Sequence, residues 1–311
     1  MRVAAVQMRA RLGAVDENLD SAEALVRQAF ARGAQLVVLP EFFPTAMAFA
    51  PAMLDAWRPL DGDVLERMRA WSREHGGVVG GSFIARSGTD CFNSFLLVFP
   101  DGRWFRHDKD VPTMWENSYS IGGSDDGVLD TPAGRVGVAM CWELIRSQTP
   151  RRLLGRVDLV VGGSCWWGAR EPVPEAGAAD QARLLDMLRE APARLARRLG
   201  VPVVHGSHAG EFEGLTPGRE SVAYASHYLG ETQIVDARGE VLARLAREDG
   251  EGVIVADVEP GVGARPLDPI PDDFWAVELP ERALRAWDLL NSLGREYYAS
   301  TFRPRLARPA R

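Results

Sequence analysis

Several features that would assign a protein to a specialised class are scarce or missing in this chain of 311 residues. No run approaches the roughly 18 apolar residues that a membrane-spanning helix needs, so we expect no membrane partner. The net charge is −7, which argues against a nucleic-acid partner because phosphate binding requires a clustered basic surface. The three cysteines, Cys91, Cys141 and Cys165, are odd in number and widely spaced, which favours reduced thiols over a disulfide framework.

Targeting and cofactor signals are equally scarce. The amino terminus enters a strand pattern without a long apolar segment or a small-residue cleavage site, and together with reduced thiols this predicts a cytoplasmic location. His205 and His208 have the spacing of a metal pair, but no thiolates or carboxylates flank them in motif order. The glycine-rich stretches 80–82 and 122–124 are too short for a phosphate-binding fingerprint. We therefore expect no metal and no other cofactor.

What is present is an alternation of strand and helix patterns in a composition of 46% hydrophobic and 25% charged residues, ordinary for a soluble globular protein. Apolar periodicity predicts a first helix that is capped by Asp16 and ends near Gly33. Further helices are predicted from Val64 to Glu74, within 178–199 and over about 280–294, and Thr149 is predicted to cap a short helix. Strands are predicted at 3–8, 35–39, 78–84, 92–99, 103–107, 135–140, 158–163, 201–206, 221–228, 231–236, 240–246 and 252–258, the last four as a meander. Alternating elements of this kind indicate α/β layers.

No low-complexity linker divides the chain, so we expect one domain over residues 1–270. The Pro/Gly-rich stretch 260–271 is the only candidate linker. The remaining residues, 271–311, are expected to form a helix and tail that pack externally, at an oligomer interface. The basic stretch at 303–311 fits a solvated tail or an interface arm.

Three potentially reactive side chains follow strand-like runs. Cys141 ends the run 136–140, Glu41 follows the apolar run 35–40, and Lys109 follows the strand pattern at 103–106. Each alone has an ordinary explanation, since free cysteine is commonly buried and Glu or Lys in a loop is commonly solvated. A cysteine with a pKa of about 8.5 needs a base or a positive charge beside it to act as a nucleophile, and the chain has a candidate for each. We therefore expect the three to form one site.

The setting of these residues resembles the nitrilase, or carbon-nitrogen hydrolase, superfamily through most of the chain. Residues 3–8 look like its first strand, 39–43 like its first catalytic block, 107–112 like its second and 137–143 like its third. The order Glu, Lys, Cys is also that of the family. The resemblance implies a four-layer αββα sandwich, usually paired across a symmetric interface, so a homodimer or higher homo-oligomer is expected.

The family resemblance also implies a mechanism. Glu41 would be the general base, Cys141 the nucleophile that forms a thioester, and Lys109, with the backbone N–H of Trp142, the stabiliser of the oxyanion. Glu116 lies in a segment similar to the family's active-site loop, where a second carboxylate often holds the lysine. An exposed loop acid is the alternative for Glu116.

The residues after Cys141 depart from the pattern of many amidases of the family, which carry Asp two positions later and Arg four positions later. Here Glu143 and Ile145 occupy those positions, and the nearest arginine is Arg146. Glu143 either faces the site or, as we favour, caps the following turn. Cys-Trp-Glu also occurs among true nitrilases, so amide, N-carbamoyl and nitrile substrates all stay open.

Aromatic residues beside the predicted strand ends suggest an aryl or bulky acyl group in the substrate. These residues are Phe42, Trp142, Trp166 and Trp167. A purely structural role for some of them is the alternative. The leading interpretation is a metal-free amidase or carbamoylase, followed by a nitrilase, and then by a binding protein that kept the fold without the activity.

Overall fold

The computed structural model describes residues 1–172, 175–261, 269–272, 274, 275, 279 and 281–307. Its helices are α1 (Val15–Ala31), α2 (Asp63–His75), α3 (Gln148–Leu153), α4 (Glu175–Leu199), α5 (Glu281–Tyr297) and α6 (Arg303–Leu306), with a π-helical turn at Tyr298–Phe302. Its strands are β1 (Arg2–Met8), β2 (Leu36–Val38), β3 (Arg58–Pro59), β4 (Val78–Ser87), β5 (Asp90–Val98), β6 (Trp104–Asp108), β7 (Val128–Thr131), β8 (Gly134–Val138), β9 (Leu159–Ser164), β10 (Val203–Thr216), β11 (Arg219–Val235), β12 (Val241–Ala246) and β13 (Gly252–Asp257). Short 3₁₀ turns lie at Pro51–Asp55, Met114–Ser118, Cys141–Leu144 and Arg247–Asp249.

The strands pair in two halves that meet at β1. One half has the order β6-β5-β4-β2-β1-β13, with the short β3 beside β4, and the other has the order β7-β8-β9-β10-β11-β12. Antiparallel pairing joins β1 to β13 along Arg2–Gln7, whereas its parallel pairing with β10 is confined to Gln7 and Met8. The two halves therefore separate along most of β1 and can face each other.

Alternate residues of β1 show how the layers stack. Val3 and Ala5 enter a core that strands of both halves share, while Ala4 and Val6 enter the core beneath α1 and α2. Helices α3 and α4 cover the outer face of the second half. A strand that is buried on both faces carries a nearly continuous apolar run. The order helix, sheet, sheet, helix confirms the predicted α/β sandwich of four layers.

Two predicted helix caps were wrong. Helix α1 begins at Val15 after Ala14, and Asp16 lies in its first turn, where its charge favours the positive end of the helix without capping it. Helix α3 begins at Gln148, so that Thr149 is its second residue, with a fully buried side chain. Neither helix has a side-chain hydrogen bond at its cap residue.

The predicted carboxyl-terminal meander also needs correction. The strands expected at 221–228 and 231–236 form the single strand β11, which is irregular at the left-handed residues Gly230 and Glu231. Strand β10 extends beyond the predicted 201–206 to form a long hairpin with β11. Strand β13 pairs with β1 rather than with β12, a long-range partnership that local patterning does not encode.

Helix α5 packs against the 3₁₀ turn Met114–Ser118 of its own chain, and its expected position at an oligomer interface stays a prediction. The Oδ1 atom of Asn291 accepts hydrogen bonds from the backbone of Met114 at 2.7 Å and from the side chain of Asn117 at 2.9 Å. Gly294 permits this contact, because a Cβ atom there would lie 2.6 Å from the Cβ of Asn117. Of the candidate linker, residues 262–268 lie outside the described residues, as do 308–311 of the basic stretch. Within the described chain, no helix is both long and apolar enough to cross a membrane.

One glycine allows two segments of the site to approach each other. A Cβ on Gly163, at the end of β9, would lie 2.5 Å from the backbone nitrogen of Glu41 and 2.8 Å from the carbonyl carbon of Pro40. Because these are backbone atoms, the clash cannot be relieved by a change of side-chain rotamer. The absence of a side chain at Gly163 thus permits the position of Glu41.

We expect Gly163→Ala to lower the free energy of unfolding by about 1–3 kcal/mol, as overpacking usually does, and to reduce activity by displacing Glu41. Gly252→Ala is the matched control, because a Cβ there would approach only Leu245, at 3.4 Å. Thermal unfolding and turnover of both variants measure the effect. Equal behaviour of the two variants would contradict this account of Gly163.

Candidate active site

Cys141 begins a 3₁₀ turn just after β8 and has a left-handed backbone, with a φ of 50°. This conformation is uncommon outside glycine, costs on the order of 1–3 kcal/mol, and clusters at functional sites. The side chain is almost fully buried. The backbone N–H of Trp142 donates to the sulfur of Cys141, an interaction that acts to lower the pKa of the thiol. An amide donor therefore lies next to the candidate nucleophile.

The ammonium group of Lys109 lies between two carboxylates. Its Nζ atom donates to Oε1 of Glu41 at 2.8 Å and to Oε2 of Glu116 at 2.6 Å. All three side chains are 2% exposed or less, so water does not screen the contacts. The charges of all three act on the pKa of Cys141, which identifies the thiol as their neighbour. The four residues predicted to be catalytic are thus brought together.

Neighbouring polar groups hold the two carboxylates in place. The side-chain amide of Asn93, on β5, donates to Oε1 of Glu41 at 2.9 Å and to Oε1 of Glu116 at 2.8 Å. The backbone N–H of Cys165 donates to Oε2 of Glu41 at 3.0 Å, and that of Thr113 to Oε2 of Glu116 at 2.8 Å. Glu116 is therefore an internal, fully bonded acid rather than an exposed loop residue.

Burial and charge fix the resting protonation of the site. Burial disfavours the charged form of Lys109, but the charges of Glu116 and Glu41 outweigh it and raise the pKa of the ammonium above its ordinary value. Burial raises the pKa of Glu116, and Lys109 opposes this effect. Burial, followed by the charge of Glu41, raises the pKa of Cys141 well above its ordinary value, again against the effect of Lys109. The resting site holds an ammonium at Lys109 and a protonated thiol at Cys141.

Glu143 belongs to a second buried network. Its Oε1 atom lies 3.1 Å from Nε2 of His107 and accepts a hydrogen bond from Arg152 at 2.9 Å. Its Oε2 atom accepts the backbone N–H of Met140 at 2.9 Å, so the residue caps the turn in which it lies rather than the following one. The carboxylate therefore fixes the start of the turn that carries Cys141.

Arg146 joins the same network from the other side. Its guanidinium pairs with Asp110, the residue after Lys109, and Asp110 also accepts a hydrogen bond from Arg152 at 2.8 Å. These contacts tie the chain that follows Lys109 to the chain that follows Cys141. Arg146 thus supports the geometry of the site without a contact to the candidate nucleophile.

The two histidines with metal-like spacing are separately bonded. His205 lies 2.8 Å from Oγ of Ser164 through its Nε2 atom, and Nε2 of His208 donates to the carbonyl oxygen of Glu41 at 2.9 Å. Burial lowers the pKa of each imidazole to about 4. In the described part of the chain, no group of three or more His, Cys, Asp or Glu side chains is arranged to hold a metal ion. His208 instead helps to hold the backbone of Glu41.

A cavity of about 810 Å³ adjoins the cluster. Its inner lining is rich in aromatic side chains, namely Trp115, Trp142, Trp166, Trp167, Tyr224, Phe274 and Trp275. The four catalytic candidates do not line it, but Trp142 follows Cys141 and Trp115 precedes Glu116. Charged residues of α4, among them Arg183 and Glu190, line another part of its wall.

Two stacked tryptophan pairs shape this cavity. Trp115 stacks on Trp167 with ring centres 4.3 Å apart, and Trp142 stacks on Trp287 at 4.7 Å. Three of the four predicted substrate-binding residues, Trp142, Trp166 and Trp167, therefore lie at the cavity. Phe42 does not, because it is almost fully buried in the core beneath α1 and α2.

Sequence reasoning missed several residues of the site. Asn93 stands inside an apolar strand pattern, and a polar residue at such a position was an available signal. Trp115 precedes Glu116 in the segment already identified, so it could have been included. Trp287 could not have been predicted, because it reaches Trp142 only when α5 folds back onto the turn that contains Cys141.

Comparison with known proteins identifies the family to which this protein belongs. Residues 2–265 match the carbon-nitrogen hydrolase family. Because the match spans most of the chain, the protein belongs to that family and is a carbon-nitrogen hydrolase.

Individual relatives are distant. The chain is 26% identical to a nitrilase from Pyrococcus abyssi, over 83% of this chain and 90% of that protein. It is 27% identical to an omega-amidase from Bos taurus, over 78% of this chain and 83% of that protein. A carbon-nitrogen hydrolase structure from Helicobacter pylori has a TM-score of 0.69 at 20% identity, covering 83% of this chain and 89% of that chain. The similarity to the Helicobacter pylori structure shows a shared fold alone.

The buried network predicts a pH dependence of stability. Burial acts to lower the pKa of His107, but Glu143 and Asp125 raise it to about 9, above its ordinary 6.5. The folded state therefore holds this proton more tightly than the unfolded state between these two values. The stabilisation is complete below pH 6.5, falls as the pH rises, and is lost above about pH 9, with a total of about 3 kcal/mol. We expect chemical denaturation to show this loss in the native protein.

His107→Gln supplies the comparison, because it cannot bind the proton. The difference in unfolding free energy between the native protein and the variant should shrink from pH 6.5 to pH 9. A difference that stays constant over this interval would contradict the assignment of the proton to His107.

Proposed function

We propose that the protein hydrolyses a non-peptide C–N bond of a small amide-type substrate through a thioester on Cys141. The observation that carries this proposal is the buried contact of Lys109 with both Glu41 and Glu116 beside that thiol. The arrangement holds a base, a cation and a nucleophile together in a buried site. A binding protein of the same fold would have no chemical use for this combination.

Glu41 starts the reaction by accepting the proton of Cys141 as the sulfur attacks the carbonyl carbon. The charge that develops on the carbonyl oxygen is stabilised by the ammonium of Lys109 and the N–H of Trp142, each donor contributing about 3–4 kcal/mol. The C–N bond then breaks, and the nitrogen leaves as ammonia or an amine with the proton that Glu41 returns. An acyl group remains on Cys141.

Water completes the cycle. Glu41, again a carboxylate, accepts a proton from the attacking water, and collapse of the second tetrahedral adduct releases the acid and restores the thiol of Cys141. Glu116 acts through Lys109, whose ammonium it holds at 2.6 Å, and we assign it a positioning role.

A nitrile is the second candidate substrate. The sequence Cys141-Trp142-Glu143 is of a kind found among true nitrilases, and the relative from Pyrococcus abyssi carries that name. Attack of Cys141 on a nitrile carbon gives a thioimidate, which two waters convert to the acid and ammonia. The same base and cation serve both reactions.

Assembly and location stay predictions. We expect a homodimer or larger homo-oligomer in the cytoplasm, acting on a small molecule. Light scattering of the purified protein measures its assembly, and a monomer at micromolar concentration would contradict the expectation.

Substitution of the nucleophile tests the mechanism. Cys141→Ala should lower turnover at least about a thousandfold, and Glu41→Gln should have a comparable effect, because the two residues act as a unit. Ammonia release and acid formation are measured on amides, N-carbamoyl compounds and nitriles that carry the same aryl group. Cys91→Ala is the matched control, since this buried thiol lies outside the cluster. Turnover by Cys141→Ala at the native rate would exclude the thioester.

Trp166→Ala tests whether the cavity binds the acyl group. Loss of a large aromatic contact should cost on the order of 3 kcal/mol, or about a hundredfold in kcat/KM, for bulky aryl substrates and little for acetamide. Trp104→Ala is the control, because Trp104 does not line this cavity. An equal loss on large and small substrates would assign Trp166 a purely structural role.

A further inference from the structure

The wall of the aromatic cavity includes a helix that lies outside the family match. The match ends at residue 265, whereas Ala283, Ala286 and Leu290 of α5 line the cavity. Residues 283, 286 and 290 are spaced three and four apart, so they share one face of the helix. Two of these three positions carry the small side chain of alanine. Space for a ligand beside α5 therefore depends on small residues at 283 and 286.

Helix α5 is held firmly in this position. Trp287 stacks on Trp142 at 4.7 Å with a ring angle of 4°, and Asn291 accepts two hydrogen bonds from the 3₁₀ turn Met114–Ser118. Beyond the helix, the hydroxyl of Tyr298 accepts the backbone N–H of Cys91 at 3.0 Å. These contacts hold α5 from its middle to its carboxyl-terminal end, so the helix cannot move aside for a larger side chain or a larger ligand without losing them.

We propose that the 283/286/290 face of α5 determines which acyl groups the enzyme accepts, and that it leaves room for planar aromatic groups of bicyclic size. The inference rests on the proposed function, because it takes the cavity as the acyl pocket. Flat aromatic rings suit a space between this small-residue face and the stacked tryptophans, since ring faces attract in offset or edge contacts. The cavity, with a volume of about 810 Å³, is large enough for such a group.

Ala286→Phe tests the proposal by adding a ring on the cavity face. The kcat/KM for 2-naphthylacetamide should fall by about tenfold to a hundredfold, mainly through KM, because overpacking excludes the ligand. For propionamide the change should stay within about threefold, since a small acyl group does not need this space. Matched nitriles and N-carbamoyl compounds extend the comparison to the other leaving groups.

Leu289→Phe is the control on the same helix. Leu289 is 60% exposed and does not line the cavity, so added bulk there should leave both substrates unaffected. Ala283→Leu provides a second cavity-facing variant if Ala286→Phe folds poorly, and thermal unfolding identifies that case. Equal losses on naphthyl and propionyl substrates by folded variants, or no loss on the naphthyl substrate, would overturn the proposal.

A binding measurement separates this proposal from the proposed function. Quenching of tryptophan fluorescence by 2-naphthylacetate reports on the cavity without any turnover. If the native protein releases product from no substrate of the panel, the proposed function fails, but Ala286→Phe should still weaken 2-naphthylacetate binding at least about tenfold. Unchanged binding by both cavity-facing variants would refute the role of α5 even if hydrolysis is observed.

Discussion

The buried ammonium of Lys109, held between Glu41 and Glu116, is the interaction on which the site depends. Two carboxylates in a buried site repel each other, and each is costly to bury alone. The ammonium offsets this cost, and the amide of Asn93 donates to both acids. Removing one partner from such a buried cluster leaves an uncompensated charge and typically costs about 3–5 kcal/mol. The positions of all four side chains are therefore set together.

This cluster also determines the chemical state of Cys141. A lysine beside a cysteine was expected to favour the thiolate, yet burial and the charge of Glu41 outweigh Lys109 and raise the pKa of the thiol. A standing thiolate would add a third negative charge to a buried site with one cation. In the proposed mechanism, transfer of the proton to Glu41 therefore coincides with attack, when the negative charge moves to an oxygen that Lys109 and the N–H of Trp142 can stabilise.

The sequence predicts those parts of the molecule that depend on local pattern. The strands that precede Glu41 and Cys141 followed from apolar periodicity, whereas the four αββα layers followed from the resemblance to a known family. The role of Asn93 did not, because a polar residue in an apolar strand pattern marks the position as unusual without revealing that its partners are two acids from distant segments. The pairing of β13 with β1 and the packing of α5 on the turn Met114–Ser118 likewise depend on contacts between residues more than 150 positions apart.

Our two proposals assign the chemistry and the selection of the substrate to different parts of the chain. Glu41, Lys109 and Cys141 lie within the family match, whereas α5 lies beyond it. Yet Asn291 of α5 contacts the 3₁₀ turn that contains Glu116, and Trp287 of α5 contacts the turn that contains Cys141. A substitution on α5 can thus act by two routes. Filling the cavity raises KM for large acyl groups alone, whereas shifting the turn of Glu116 lowers kcat for every substrate, so the ratio between substrates identifies the route.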